Sequence, residues 1–394
     1  MAAHSTLAPS FAPVWGHCSG AVAVNAAAPE QYSPETAEGT AAHWVASECL
    51  KLWQEPGAGA PPASYWIGEA GAPGGIVIDE EITEAVQVYV SDVLKVAQEH
   101  GALRQLLIEH KVHAPQIHAD NWGTLDCALW LPDKGLLYLW DYKHGHRLNS
   151  AVGNLQLVDY IAGLIAELNI NGHDDQHITA VLRIVQPRCY HSPTGPVSEW
   201  RVTLSDLRGY FNTLHNQAAE AYSKPTLTTG LHCRDCPGVG RCSAARMAGY
   251  SLVDYVRQPF AIDTMTAADL ATERAILSRG LKAAQARLEA IEDDLTHRLK
   301  AGDSAGTGLS LQSSQGRRAW SVPPPVVLTM ARQFGFDASK PDVITPTQFV
   351  KAAPAAMQTA VQQAVNAISH RPPGALKLVD AADCRTALAF KPQE

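Results

Sequence analysis

Several features that would settle a function class are missing from this chain. No apolar run approaches the ~18 residues that a membrane-spanning helix needs. The opening residues, MAAHSTLAPSFAPVWGHCSGAVAV, carry no basic stretch ahead of an apolar one, so a secretory leader is not expected. Basic residues are in deficit: 31 Lys and Arg against 39 Asp and Glu leave a net charge of −8. That excludes a surface coated with positive charge for nucleic acid, although a cleft can still be locally basic. Eight cysteines in 394 residues are too few for a disulfide scaffold. There is no G-x4-G-K-[ST] run and no internal repeat.

What is present describes a soluble, cytosolic globular protein, 46% hydrophobic and 18% charged, long enough for two domains. Residues 1–37 are Ala/Pro-rich with few periodic cues. A helix is expected over 40–53, a Gly/Pro-rich loop over 54–75 and an amphipathic helix over 80–100, with Ile82, Val86, Tyr89, Val90, Val93 and Leu94 on one face. Strands are expected at 105–113, 122–131 and 136–142, the last two joined by the turn Pro132-Asp133-Lys134-Gly135. A helix over 151–168 and a buried strand over 178–187 complete a compact α/β core with a mixed sheet. A helix over 203–222 follows, then a linker near 257–266.

Residues 267–300 form a long helix with an apolar stripe of Ile276, Leu281, Ala284, Leu288, Ile291 and Leu295, expected to pack on its own domain rather than in an intermolecular coiled coil. Helices near 326–335 and 346–368 make the region beyond 257 a mainly helical accessory domain with no readable chemistry.

Chemistry concentrates in the core. Asp126 closes Gly123-Thr124-Leu125-Asp126 on one strand, and Asp141-Tyr142-Lys143 ends the next. Alternation puts Asp141 and Lys143 on one sheet face, and the hairpin brings Asp126 toward it. Two carboxylates at a strand end can hold Mg²⁺ or Mn²⁺, with the Tyr142 carbonyl as a further hard ligand. Lys143 would orient water or neutralise developing charge on a phosphate. D-x-K alone is common, and its plain alternative is a surface salt bridge. Gln156 and Tyr160, one helical turn apart on the following helix, can both hydrogen-bond a phosphate or a catalytic group. Glu109, between Ile108 and His110, is a weaker candidate, and an ion pair with His110 or Lys111 is the favoured reading. Beside the site, Lys143, His144, His146 and Arg147 form a basic run that Arg183, Arg188, Arg234 and Arg241 extend, suited to sequence-independent phosphate contact.

The cysteines form a second constellation: Cys18 stands alone, and Cys233, Cys236 and Cys242 follow far downstream as C-x2-C-x5-C. Such thiolates gather around a metal centre, and spacing alone leaves zinc and an iron–sulfur cluster open. Cys49, Cys127, Cys189 and Cys384 lack ligand spacing and are expected to act as small apolar residues, with Cys127 on the opposite sheet face from Asp126.

Asp126, Asp141-x-Lys143 and Gln156-x3-Tyr160 together resemble the PD-(D/E)XK nucleases in their RecB-like branch. Gly39-Thr40-Ala41-Ala42-His43 resembles that branch's G-T-x-x-H helix motif, which makes His43 a metal ligand. The cysteine arrangement is similar to that of the iron–sulfur members, among them the AddB exonuclease subunit and the nucleases of CRISPR adaptation. The resemblance covers roughly residues 15–245. It implies a restriction-endonuclease-like core, residues 1–256, stapled by a four-iron, four-sulfur cluster on Cys18, Cys233, Cys236 and Cys242, with zinc as the alternative occupant, and an accessory domain at 257–394. The whole chain also resembles a phage and prophage family with a similar C-terminal extension. Without a helicase motif, the resemblance implies a stand-alone Mg²⁺/Mn²⁺-dependent DNA exonuclease of phage recombination or end processing. DNA is the expected partner, with a phage recombination or single-strand-binding protein beside it. The competing readings are an endonuclease and a non-catalytic DNA-binding scaffold on a nuclease fold.

Overall fold

The structure is a computed structural model that describes residues 5–26, 34–55, 61–170, 175–190, 192–256, 266–302, 308–315, 319–338, 344–354, 357–370 and 373–380. Cys384 and most of the expected 257–266 linker lie outside the described residues. Two compact units divide within one long helix: Met1–Leu288 and Glu289–Glu394.

The first unit opens with short helices α1 (Ala12–Trp15) and α2 (Ala21–Ala26), then α3 (Pro34–Gln54) and α4 (Glu80–Glu99). Strands β1 (Leu107–His113), β2 (Trp122–Leu131) and β3 (Leu136–Tyr142) follow, then α5 (Leu155–Glu167), β4 (Thr179–Val185), β5 (Val197–Thr203), α6 (Leu204–Ser223), α7 (Ser243–Val256) and α8 (Ala267–Lys300). Caps fix where the helices begin. The Asp79 carboxylate accepts from the Ile82 N–H at 2.9 Å, and the Asn154 side chain accepts from the Gln156 N–H at 2.9 Å. Each such cap contributes about 1 kcal/mol. The β2–β3 turn ends at Gly135, with φ +59°; a Cβ there would stand 2.5 Å from the His177 carbonyl oxygen, so only glycine fits.

The strands form one mixed sheet in the order β1-β2-β3-β4-β5. The β3–β4 pair is parallel with α5 as its crossover, and the other pairs are antiparallel. Both faces are covered. Leu137, Leu139 and Leu182 face a core completed by α5 and α6, whereas Tyr138, Trp140 and Tyr142 face one completed by α3 and α4. This alternation along β3 aims Asp141, the next residue on the Leu137/Leu139 side, at α5. Cys127 falls in the α3/α4 core, as its alternation implied.

The fifth strand, β5, was not expected. Its sequence VSEWRVT is polar and only half buried, as suits a strand at the sheet edge. The stripe on α8 departs from its expected packing. The helix rests on its own unit through Ala286 and Arg287, whose guanidinium donates to the carbonyls of Val239 and Gly240 at 2.8 and 3.2 Å. Leu281 and Leu288 are left 59% and 49% exposed, because the anchoring residues lie on the opposite side of the helix.

The second unit gathers α9 (Pro324–Gln333), α10 (Pro346–Ala352) and α11 (Gln358–Ile368) around Val327, Ala331, Phe349, Val361 and Val365. It also pairs β6 (Leu309–Gln315) with β9 (Pro373–Asp380), and β7 (Ala319–Trp320) with β8 (Ser369–His370). The expected helix over 346–368 is thus two helices.

Candidate metal and catalytic site

Asp141, Lys143 and Gln156 meet at the end of β3. The Gln156 amide donates to Asp141 Oδ1 at 2.8 Å, and the Lys143 ammonium donates to Gln156 Oε1 at 3.0 Å. That ammonium also stands 3.0 Å from Asp141 Oδ2. Asp141 is 3% exposed, and its Oδ2 is buried without a hydrogen bond. Burial, helped by the charge of Asp126, raises its carboxyl above the ordinary value against the pull of Lys143.

Asp126 lies beside this group. Its Oδ2 accepts from the Tyr142 backbone N–H at 2.7 Å, and its Oδ1 is 3.3 Å from His43 Nδ1 on α3. Burial works against the Asp126 charge, but His43, the Tyr142 N–H and Lys143 hold its carboxyl below the usual range. For His43, burial disfavours protonation, yet the Asp126 and Asp141 carboxylates lift its pKa to about 8.

Glu109 completes the cluster. Ligand atoms of His43, Glu109 and Asp126 all lie within 4.8 Å of one another. The β1–β2 register runs through Ile108↔Cys127 and His110↔Leu125 but omits the step between them, and Glu109 has a left-handed φ of 47°. Strained backbone in a non-glycine residue concentrates at functional sites. The ion-pair reading of Glu109 fails: His110 pairs with Glu167, and Lys111 lies over the Trp122 ring. Desolvation and the Asp126 charge instead push the Glu109 carboxyl up to about 7. Crowded carboxylates and an imidazole are a donor set that fits a divalent cation, and the imidazole suits Mn²⁺ better than Mg²⁺.

Other expected site residues have different surroundings. The Tyr142 ring is buried on the α3/α4 side, edge-on to His43, and its hydroxyl meets His144 Nδ1 at 2.8 Å. The Tyr160 hydroxyl donates to the Thr124 carbonyl at 2.7 Å, so it fixes the strand that carries Asp126 rather than reaching outward.

His144 does not serve as a phosphate contact. It is 6% exposed, and its Nε2 lies 2.9 Å from Glu38, so both ring nitrogens are engaged inside the fold. The basic run is largely neutralised. Arg147 pairs with Asp235 at 2.6 Å, Arg188 with Glu38 and Glu81, and Arg183 with Asp92 and Glu199. His146 is exposed, with Nδ1 2.9 Å from the Arg188 carbonyl. A cleft of about 810 Å³ opens over the cluster, lined by Thr40, His43, Glu109, Lys143, His146 and Arg188 among others.

The second constellation forms where the chain's start meets residues 226–242. Ser19 and Gly20 bond with Thr226, and Cys18 shares an apolar cluster with Val14, Leu227 and Cys236. The Thr228 N–H donates to Cys18 Sγ and the Gly230 N–H to Cys233 Sγ, each at 3.4 Å. Burial opposes ionisation of Cys18, but His232 and Thr228 bring its thiol down to about 7; Cys233 is lowered likewise. Cys236 is pushed up to about 11 by burial and by the neighbouring Cys233, Cys18 and Cys242. Cys18, Cys233 and Cys242 thus each act electrostatically on Cys236. Low thiol pKa and N–H···S bonds are the surroundings that metal-bound thiolates use. Cys49, Cys127 and Cys189 are buried apart from this group.

Sequence reasoning missed His232, whose Nε2 lies 3.1 Å from the Thr228 carbonyl and whose pKa is raised to about 10 by the neighbouring Cys18 and Cys233 thiols. It also missed Arg287 on the cysteine loop and the Glu38–His144 contact. Only His232, directly before Cys233, carried a local signal.

Among the described residues, no helix is long and apolar enough to cross a membrane. A family model described as "Protein of unknown function (DUF2800)" matches residues 4–386.

Proposed function

The chain belongs to the DUF2800 family, and from its site geometry we propose that it is a stand-alone, Mg²⁺- or Mn²⁺-dependent DNA exonuclease of the RecB-like PD-(D/E)XK kind, acting in phage recombination or DNA end processing. One observation carries the reading: the Lys143 ammonium is held by Asp141 and Gln156 directly beside the His43, Glu109 and Asp126 donors. A surface salt bridge at a strand end would be exposed and would not recruit a buried glutamine from the next helix.

His43, Glu109, Asp126 and Asp141 would hold the cation, with the Tyr142 carbonyl available as a further ligand. When bound, the ion supplies an activated water and charge stabilisation at the scissile phosphate. Lys143 then presents its remaining N–H toward the cleft, where it orients the attacking water or meets the negative charge that builds on the phosphate oxygens. Gln156 bridges the two, accepting from the Lys143 ammonium and donating to Asp141. Tyr160, through Thr124, keeps Asp126 in register. Water adds to phosphorus and releases a proton to solvent, the P–O bond to the neighbouring nucleotide breaks, and the leaving oxygen takes up a proton from solvent.

Cys18, Cys233, Cys236 and Cys242 would hold a four-iron, four-sulfur cluster, or zinc in its place, with a structural role. Arg147 and Asp235 tie the rim of the cleft to that cysteine loop. The test is hydrolysis of end-labelled linear DNA beside covalently closed circular DNA, with Mg²⁺ or Mn²⁺ and anaerobically purified protein. The reading expects degradation of the linear substrate alone. Equal digestion of both makes the protein an endonuclease, and digestion of neither with either metal removes the enzymatic reading.

A further inference from the structure

The long helix α8 is held from one side and open on the other. Ala286 is buried, and Arg287 grips the carbonyls of Val239, Gly240 and Cys242. Roughly opposite them around the helix run Leu270, Leu277, Leu281, Ala284 and Leu288. Their spacing alternates between three and four residues once Arg274 is counted, which is the a/d pattern of a heptad repeat. Leu270, Leu281 and Leu288 are all exposed.

A helix that merely covers its own domain turns its leucines inward. Here Ala286 and Arg287 pack, while Leu270, Leu281 and Leu288 point out. A seven-residue period also specifies the shape of what covers them, because along residues 270–288 it keeps one seam turned toward another helix.

The same sequence supplies a matching partner. Laid antiparallel on its own copy, the seam places Leu281 against Leu277 of the second copy, Leu288 against Leu270 and Arg274 against Ala284, each contact occurring twice by symmetry. The large Arg274 side chain then meets a small residue, over which its stem lies with its charge in water. The parallel alignment would instead set Arg274 against Arg274 of the second copy and leave two alanines facing each other. We propose that α8 pairs with α8 of a second copy of this chain in an antiparallel coiled coil along the Leu270–Leu288 seam. The seam is about 28 Å long at 1.5 Å per residue, so association is weak and concentration-dependent.

Sedimentation equilibrium on the full chain, from micromolar to hundreds of micromolar, tests this directly. The mass should rise toward twice 42.3 kDa. The Leu281→Glu, Leu288→Glu double variant should stay monomeric throughout, with unchanged far-ultraviolet circular dichroism. Ile276→Glu is the control, since Ile276 is 59% exposed but lies off the seam; it should dimerise like the parent. Parent protein that remains monomeric, a double variant that still dimerises, or an Ile276→Glu variant that dissociates equally would each overturn the proposal.

Discussion

Lys143 illustrates how much of this site depends on single contacts. Its ammonium has Asp141 and Gln156 as partners, and the buried Asp141 has Lys143 as its nearest cation. On the proposed function, Lys143→Ala or Asp141→Ala should each lower cleavage at least about a hundredfold while leaving the fold intact, since a charge stabiliser or a metal ligand would be lost. Glu109→Gln should weaken Mn²⁺ binding measured by calorimetry; unchanged affinity would remove Glu109 from the donor set. Asp159 gives a different kind of prediction. It is buried on α5, its Oδ2 accepts from Asn121 at 2.9 Å, and Oδ1 of both residues lacks a partner. Burial pushes its carboxyl from 3.8 to about 8. A proton on Asp159 would let it donate back to Asn121. Its contribution to stability is therefore full below the unfolded value and is lost as pH rises through about 8. Asp159→Asn should flatten that decline, which is at most about 1.4 kcal/mol per pH unit. Denaturation midpoints at pH 5 and pH 9 decide it, and equal pH sensitivity in both proteins would mean Asp159 is ionised in the fold.

Elements were legible where periodicity was strong. α4, β1, β2, β3, β4 and α6 fall close to their expected ranges because each has one face or both in a core. β5 escaped because an edge strand shows little apolar alternation, and α7 because it follows the cysteine loop without a cap signal. Within the site, Asp141, Lys143 and Gln156 could be placed because strand period and helix turn are local rules. Glu109 could not, because its position depends on an irregular step between β1 and β2 that no local pattern announces. The basic run misled for a related reason: a sequence shows its charges but not the carboxylates that fold against them. The cysteine loop carries the element-scale prediction. Cys18 joins the chain's start to residues 226–236, so a shared metal centre would close a loop of about 200 residues and restrict the unfolded chain. Cys18→Ser should give protease-sensitive or poorly soluble protein, read by limited proteolysis. A variant as resistant as the parent would mean the sulfur staples nothing. Broad visible absorption after anaerobic purification would identify the cluster, whereas colourless protein with stoichiometric zinc would identify the alternative.

For the whole molecule, a net charge of −8 and an ion-paired rim mean that nucleic acid is not drawn in by a basic coat. On the proposed function, attraction would come from the cleft itself, where bound cations would reverse the local sign. DNA binding should therefore be weak without divalent metal, and tighter with it. Because phosphate contacts dominate, it should fall steeply with added salt, and fluorescence anisotropy on a short labelled DNA measures both effects. Tight binding in chelator would contradict this picture. The central claim, that the Asp126–Asp141–Lys143 corner hydrolyses phosphodiester bonds with a divalent ion, has a more direct test. Single-turnover cleavage of an end-labelled linear DNA by the intact protein in Mn²⁺ can be compared with that by Lys143→Ala at equal metal occupancy. The account predicts metal-dependent cleavage by the parent and at least about a hundredfold slower cleavage by the variant; equal rates in the two proteins, or a parent rate indifferent to chelator, would contradict it.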